Sequence, residues 1–286
     1  ALSAKGLKDA DSDFVAPKGS AVFATYYKVS SQFRHIKGSN GVPMYDLVVV
    51  EEASQAYLTT IAALLWLGTR CLVVGDPMQL APIVFAENKP EYKRWNAVTQ
   101  ADGLTSFVLG SNVDSFRITT TFRLMPASAE LTGVFYGNTL RSVASNKLDW
   151  SKIDNRYFPK SGGVVLEVLP GGEDGVLSSA AVKVLGNVLD KIESNVAGAR
   201  VAVITPFKDS AMAIQRRFAI VGRKLDLSIE TIDRVQGATV DYAILYFPLR
   251  NVAFSFDERR FNVATSRSRT TTLILSDYEL LEMRSI

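Results

Sequence analysis

Two apolar runs that each end in acidic residues, joined by one amphipathic segment, constrain this chain more than any other feature. Leu47, Val48, Val49 and Val50 lead into Glu51 and Glu52, and Val73 and Val74 lead into Gly75 and Asp76. Each run is long enough for one buried parallel strand. Residues 56–68 between them are apolar at helical spacing and close on Gly68. The pattern predicts a strand–helix–strand unit that brings both acidic ends to one edge of a sheet, where open α/β sheets bind ligands. There, one carboxylate can hold Mg2+ while its neighbour orients or deprotonates a water. The amide of Gln79 then lies where it can sense a terminal phosphate. Taken singly, Glu51 and Glu52 read as a solvated strand end, and Gly75-Asp76-Pro77 as an ordinary turn. The pair at strand–helix–strand spacing is far more specific.

Composition sets the outer limits. A chain of 286 residues that is 47% apolar can bury two modest cores, which predicts two domains. Basic and acidic residues are balanced at 32 against 29, so any track for nucleic acid must be local. The single cysteine, Cys71, precludes an internal disulfide and reads as a small buried hydrophobe. With His35 the only histidine, zinc sites and histidine-based catalysis are not expected. No apolar run reaches membrane-spanning length, and residues 1–18 hold no signal-peptide core. These features predict a soluble protein of a reducing compartment, cytoplasmic or nuclear, with no membrane partner.

Hydrophobic periodicity predicts an alternating α/β order. Strands are expected over 21–26, 46–50, 70–74, 116–120, 164–169, 200–204, 228–232, 242–247 and 271–275. Helices are expected over 127–136, 176–194, 209–221 and 258–268, with a loop and short helix over 85–112 and an irregular stretch over 141–163. Residues 1–18 read as a linker. Strands alternating with helices imply parallel sheets covered on both faces.

Further polar clusters follow the predicted strands. Arg123 stands just past a strand, before Pro126, which can open the next helix. In isolation it is equally a surface arginine. Residues 231–238, TIDRVQGA, leave a strand through polar residues and reach Gly237, which permits close backbone approach. Residues 260–269, RFNVATSRSR, carry Arg260 and Arg267 two helical turns apart, which puts both on one face. Without the other motifs, that segment reads as a solvated basic helix.

In order along residues 20–278, these motifs resemble those of superfamily 1 helicases, in the branch of the nonsense-mediated mRNA decay helicase and the nidovirus helicase. VVVEEASQ is similar to motif II and VGDPMQLAP to motif III. TTFRLMP resembles the arginine motif that opens the second domain, and VITPF the nucleic-acid motif built on threonine, proline and an aromatic. TIDRVQGATVDYAIL resembles motif V and RFNVATSRSR motif VI. The resemblance implies two RecA-like parallel-sheet P-loop NTPase domains, an incomplete first over 19–113 and a complete second over 114–286. It implies a motor using ATP and Mg2+ to move 5′-to-3′ on single-stranded RNA or DNA.

Carried over residue by residue, it gives Glu51 the metal and Glu52 the role of catalytic base. Asp76 and Gln79 would couple the γ-phosphate to nucleic acid, with Gln236 and Gly237 lining the nucleotide side. Arg123 and Arg267 would be arginine fingers. Thr25, Tyr26, Thr205, Pro206 and Thr231 would face the nucleic acid. Three features depart from the pattern. Glu51 stands where aspartate is usual, and Thr239 where motif V usually has glutamate. No G-x-x-x-x-G-K-[ST] phosphate loop occurs. The expectation is a C-terminal helicase portion, inactive alone, whose N-terminal part acts in cis or trans. The alternative is a non-catalytic module that keeps the fold and clamps nucleic acid or a partner.

Overall fold

The computed structural model describes residues 18–32, 43–82, 102–145, 156–159, 161–170, 175–196, 198–218 and 222–277. The chain divides into two compact units: Ala1–Pro77 with Ala81–Ser115, and Met78–Leu80 with Phe116–Ile286.

In the first unit, helix α1 (Tyr26–Gln32) precedes strand β1 (Tyr45–Val50), a 3-10 turn (Ala53–Gln55), helix α2 (Leu58–Leu65), strand β2 (Gly68–Val73) and helix α3 (Gly103–Gly110). β1 and β2 pair in parallel, with Val48 opposite Cys71 and Val50 opposite Val73. Val50, Ala53, Ala56, Ile61, Leu64 and Leu104 form the core, with Tyr26 and Val29 of α1 packed against it. The strand expected over 21–26 does not form. Thr25 accepts the amide of Lys28 through Oγ1 at 3.2 Å, so a threonine cap starts a helix where apolar alternation suggested a strand. Cys71 is exposed rather than buried, because β2 pairs only with β1 among the described residues. Its thiol donates to the Leu65 carbonyl at 3.2 Å.

The second unit opens with a short parallel pair, β3 (Thr120–Thr121) and β4 (Arg141–Ser142), around helix α4 (Pro126–Gly133), which runs on into a 3-10 turn (Val134–Tyr136). Only the end of the strand expected over 116–120 is therefore realised. Pro126 occupies the first turn of α4, where its missing N–H costs nothing. The main sheet contains β5 (Gly163–Val168), β6 (Arg200–Thr205), β7 (Asp226–Thr231), β8 (Val240–Phe247) and β9 (Ser268–Ser276). Their order is β5-β9-β8-β6-β7, all parallel. Helix α5 (Ser179–Asn195) links β5 to β6 and helix α6 (Lys208–Phe218) links β6 to β7. Two shorter helices, α7 (Val252–Ser255) and α8 (Glu258–Thr265), link β8 to β9.

β8 shows why such strands read as unbroken apolar runs. Tyr242, Ile244 and Tyr246 enter the core beneath α5 and α6, whereas Ala243, Leu245 and Phe247 enter a second core with Val263 and Ala264 of α8. Both faces are covered, as a parallel sheet requires. Leu80 belongs to that second core, 8% exposed. α8 ends at Thr265, short of the predicted 268, so Arg267 lies beyond it and does not share a helical face with Arg260. Residues 1–17 of the linker expected over 1–18, and 85–101 of the loop and short helix expected over 85–112, lie outside the described residues. Among the described residues no helix is long and apolar enough to cross a membrane.

Candidate functional site

In the first unit, register brings the acidic strand ends together. Because Val50 pairs with Val73, Glu51 and Glu52 leave the sheet beside Val74, Gly75 and Asp76. Val74 donates its amide to the Val50 carbonyl at 2.8 Å, and Ala53 donates to the Val74 carbonyl at 2.9 Å. Gly75 is required at this join: a Cβ there would lie 2.7 Å from a methyl of Leu104 and 3.0 Å from the Ser54 amide nitrogen. Glu51 and Glu52 are exposed and Asp76 is half-buried.

Glu52 adopts the left-handed backbone conformation, with φ 52° and ψ 41°. Residues other than glycine, asparagine and aspartate rarely do so, and such strain concentrates at functional sites. Tyr26 reaches the same corner, its hydroxyl donating to the main-chain carbonyl of Glu51. Burial, then the charges of Glu52 and Glu51, push the Tyr26 phenol up to about 12. Thr25, exposed, caps α1 beside it.

Exposed carboxylates at one sheet edge suit Mg2+, which takes one or two protein carboxylates and completes its shell with water and substrate phosphates. Among the described residues no group of three or more His, Cys, Asp or Glu side chains could cage a metal unaided.

In the second unit, Gln236 donates through Nε2 to Oε1 of Gln79 at 3.3 Å. Gln236 follows β7 in a tight turn, in which Arg234 and Val235 donate to the Thr231 carbonyl at 3.0 and 3.1 Å. Gly237 comes next with φ +82°, and nothing lies within 4 Å of where a Cβ would stand. The main chain there is thus open to close approach. Thr231, at the carboxyl end of β7, is half-buried.

Thr205 and Pro206, at the carboxyl end of β6, are both buried, Thr205 completely, so their side chains do not face outward. The next residue, Phe207, takes that place in a cation–aromatic ladder. The Arg250 guanidinium lies 4.5 Å over the Phe207 ring, Phe207 stacks on Phe254 at 5.5 Å, and Arg260 lies 4.1 Å over Phe254. Arg250 also pairs with Asp209 and Arg260 with Asp233 and Asp257.

The two candidate arginine fingers differ sharply. Arg123 is half-buried, with its amide on Thr121 Oγ1 at 3.2 Å. Arg267 is 1% exposed; its Nε donates to the Val263 carbonyl at 2.7 Å and its Nη2 to Ser266 Oγ at 3.1 Å. In this conformation it is a buried structural group, because the chain turns between α8 and β9 instead of continuing the helix.

Sequence reasoning missed Asn262, Tyr136, Phe254 and Arg250. Asn262 carried a usable signal: a polar residue between Phe261 and Val263, inside a helix, disfavours that helix unless its amide has a task. The ladder carried none, since Phe207 comes from the connection after β6, whereas Arg250 and Phe254 come from the one between β8 and β9.

The chain matches two AAA domain models, one over residues 114–279 and one over residues 8–87. Helicase SEN1 of Saccharomyces cerevisiae is 24% identical over 258 residues, covering 81% of this chain and 11% of that protein. Regulator of nonsense transcripts 1 homolog of Arabidopsis thaliana is 25% identical over 261 residues, covering 84% of this chain and 20% of its own length. ATP-dependent helicase upf1 of Schizosaccharomyces pombe is 24% identical over 260 residues, covering 84% and 27%. The chain therefore spans between 11% and 27% of the length of these relatives. The crystal structure of an arterivirus nonstructural protein 10 (helicase) overlays with a TM-score of 0.45 at 18% identity, covering 85% of this chain and 42% of that one. That overlap is too loose to carry weight.

Proposed function

The chain belongs to the AAA-domain family of superfamily 1 helicases, and from that premise we propose that it forms the motor which couples ATP hydrolysis to movement along single-stranded RNA or DNA. One observation carries the reading: the pairing of Val50 with Val73 sets Glu51 and Glu52 beside Gly75 and Asp76, with Glu52 strained into the left-handed region.

Bound Mg2+ supplies positive charge to the triphosphate and its leaving group. Glu51 would hold it, with Asp76 adjacent. Glu52 would accept the proton of the attacking water. Gln79, paired with Gln236, would register the γ-phosphate, and Gly237 would let main chain approach the nucleotide. Arg123 would bring a planar cation to the transferred phosphoryl group. Arg267, enclosed as it is, would hold the turn between α8 and β9 in place. The single strand would run past Thr25 and Tyr26 in one unit. In the other it would follow the carboxyl edge of the sheet, at Phe207 and Thr231, with Thr205 and Pro206 buried behind them. Contacts of this kind track backbone and base faces and tolerate any sequence.

The test uses the intact protein. ATP turnover is measured alone, with single-stranded RNA and with single-stranded DNA, alongside unwinding of duplexes bearing a 5′ or a 3′ tail. Turnover should rise with at least one kind of strand, and the 5′-tailed duplex should be the one unwound. Binding of single strands with no stimulated turnover would leave a clamp instead of a motor.

A further inference from the structure

Asn262 is completely buried in α8, yet it is an amide among apolar neighbours, Val263 and Ala264, that fill the second core. Burying an amide costs free energy unless its hydrogens find partners. Both do. Nδ2 donates to the main-chain carbonyl of Met78 at 2.8 Å and to the hydroxyl oxygen of Tyr136 at 2.8 Å. Its Oδ1 has no hydrogen-bond partner among the described residues, so the amide is oriented by its donors alone. Tyr136 is itself pinned: its carbonyl accepts from Arg117 Nη2 and from Thr139 Oγ1, each at 2.8 Å.

The tripeptide Met78–Leu80 is thereby held at both ends within the second unit. Asn262 grips the carbonyl of Met78, and Leu80 sinks into the apolar core with Val235 and Val263. Gln79 lies between these two anchors, its side chain on Gln236. An unanchored tripeptide would let that pair, already long at 3.3 Å, drift apart.

We infer that Asn262 is a positioning residue: it fixes the main chain at Met78 and so holds Gln79 against Gln236 at the phosphate-sensing position. The inference rests on the helicase reading for the role of Gln79. A misplacement of about 1 Å at a catalytic group costs on the order of 10²-fold. Loss of the Asn262 anchor should therefore lower nucleic-acid-stimulated kcat by roughly ten- to a hundredfold. KM for ATP should stay within about twofold, because Asn262 is completely buried and acts only through Met78.

The experiment compares Asn262→Leu, which keeps the branching of the side chain, adds bulk and removes both donors, with Tyr136→Phe, which deletes one oxygen. Both are made in the intact protein. Amide hydrogen exchange across Met78–Leu80 is read beside kcat and KM. In Asn262→Leu, exchange there should quicken about tenfold, the worth of one buried hydrogen bond, while β6 and β8 exchange as in wild type. Tyr136→Phe should move both readouts the same way and less far, and it carries the test should Asn262→Leu fail to fold. Exchange across Met78–Leu80 unchanged in the folded variants would overturn the anchor. Faster exchange with wild-type stimulated kcat would overturn the positioning role. A wild-type protein with no stimulated turnover would count against the helicase reading alone, since hydrogen exchange still decides whether Asn262 fixes Met78.

Discussion

Arg267 donates through Nε to the carbonyl oxygen of Val263 at 2.7 Å, closing the end of α8 with its own side chain. A cation on the last carbonyls of a helix satisfies an orphan acceptor and complements the helix dipole. With only 1% of the residue exposed, Arg267→Ala would leave a cavity and take from the Val263 carbonyl its shorter hydrogen bond, with Ser266 Oγ at 3.3 Å the side-chain donor that remains. It should destabilise the protein by about 2–3 kcal/mol, read as a melting midpoint several degrees lower. Arg267→Lys should recover part of this, since an ammonium lacks the fork that reaches Val263 and Ser266 together. A variant that melts like wild type but hydrolyses no ATP would return Arg267 to the role of finger.

Arg123 should behave oppositely. It is half-buried, and its amide rather than its guanidinium meets Thr121. Arg123→Ala should change stability by no more than about 0.5 kcal/mol, as a surface substitution does. In the intact protein kcat should fall on the order of 10³-fold or more, the range for arginine fingers. Thermal melts and steady-state turnover on the same preparation separate the two arginines.

Glu52 combines an exposed carboxylate with a left-handed backbone. Glu52→Gln keeps the shape and cannot accept a proton, so hydrolysis should fall by roughly 10²- to 10⁴-fold with nucleotide affinity largely intact. Glu52→Asn should be equally inactive and at least as stable as wild type, because asparagine tolerates positive φ. Glu51→Asp should remain active, since it shortens the metal-binding arm without removing its charge. Nucleotide binding, turnover and melting of the three variants test the assignment; normal turnover by Glu52→Gln would rule out the base.

The sheet was legible in the sequence because its strands are buried on both faces. In β8 every residue from Tyr242 to Phe247 enters one core or the other, so the run is unbroken. Legibility failed where a cap or a turn outweighs hydrophobicity. Residues 21–26 look like a strand, but the Thr25 cap starts α1 at Tyr26. RFNVATSRSR looks like one basic helix, but Thr265 and Ser266 end it and Ser268 begins β9, which moves Arg267 off the face of Arg260. The strand-end carboxylates were legible because their neighbourhood is set by strand register. The Asn262–Met78 bond was not, because it joins segments 184 residues apart through side-chain geometry alone.

Gly103 tests how the first unit is assembled. A Cβ at this position would lie 2.3 Å from the Ala56 carbonyl oxygen and 2.5 Å from the Leu58 amide nitrogen. Both are backbone atoms and cannot swing aside. Gly103→Ala should therefore push α3 off the 3-10 turn and α2, at a cost of about 1–3 kcal/mol or more, the range for overpacking. Gly110→Ala is the control: the same substitution in the same helix, with nothing within 4 Å of the new methyl group. Urea unfolding of both variants gives the comparison, and equal midpoints would show that α3 does not dock as described.

Tyr26 gives the first unit a pH dependence with a definite sign. Its phenol is raised from the ordinary 10.0 to about 12, first by burial and then by the charges of Glu52 and Glu51. Between those values the unfolded chain has released the proton and the folded chain has kept it. The resulting stabilisation is fully present below 10.0 and is lost as pH rises through about 12. Tyr26→Phe has no proton to lose there, so its urea midpoint should fall less across that window than that of wild type. Tyr242 and Tyr246 are also raised, both chiefly by burial, and remain in the variant, so the difference between the two curves isolates Tyr26. Glu52→Gln removes the neighbouring charge with the larger effect on Tyr26 and should move its titration back toward 10.0, read by tyrosinate absorbance against Tyr26→Phe as the blank. An unchanged titration in Glu52→Gln would separate Tyr26 from the carboxylates and break the link between α1 and the acidic strand ends.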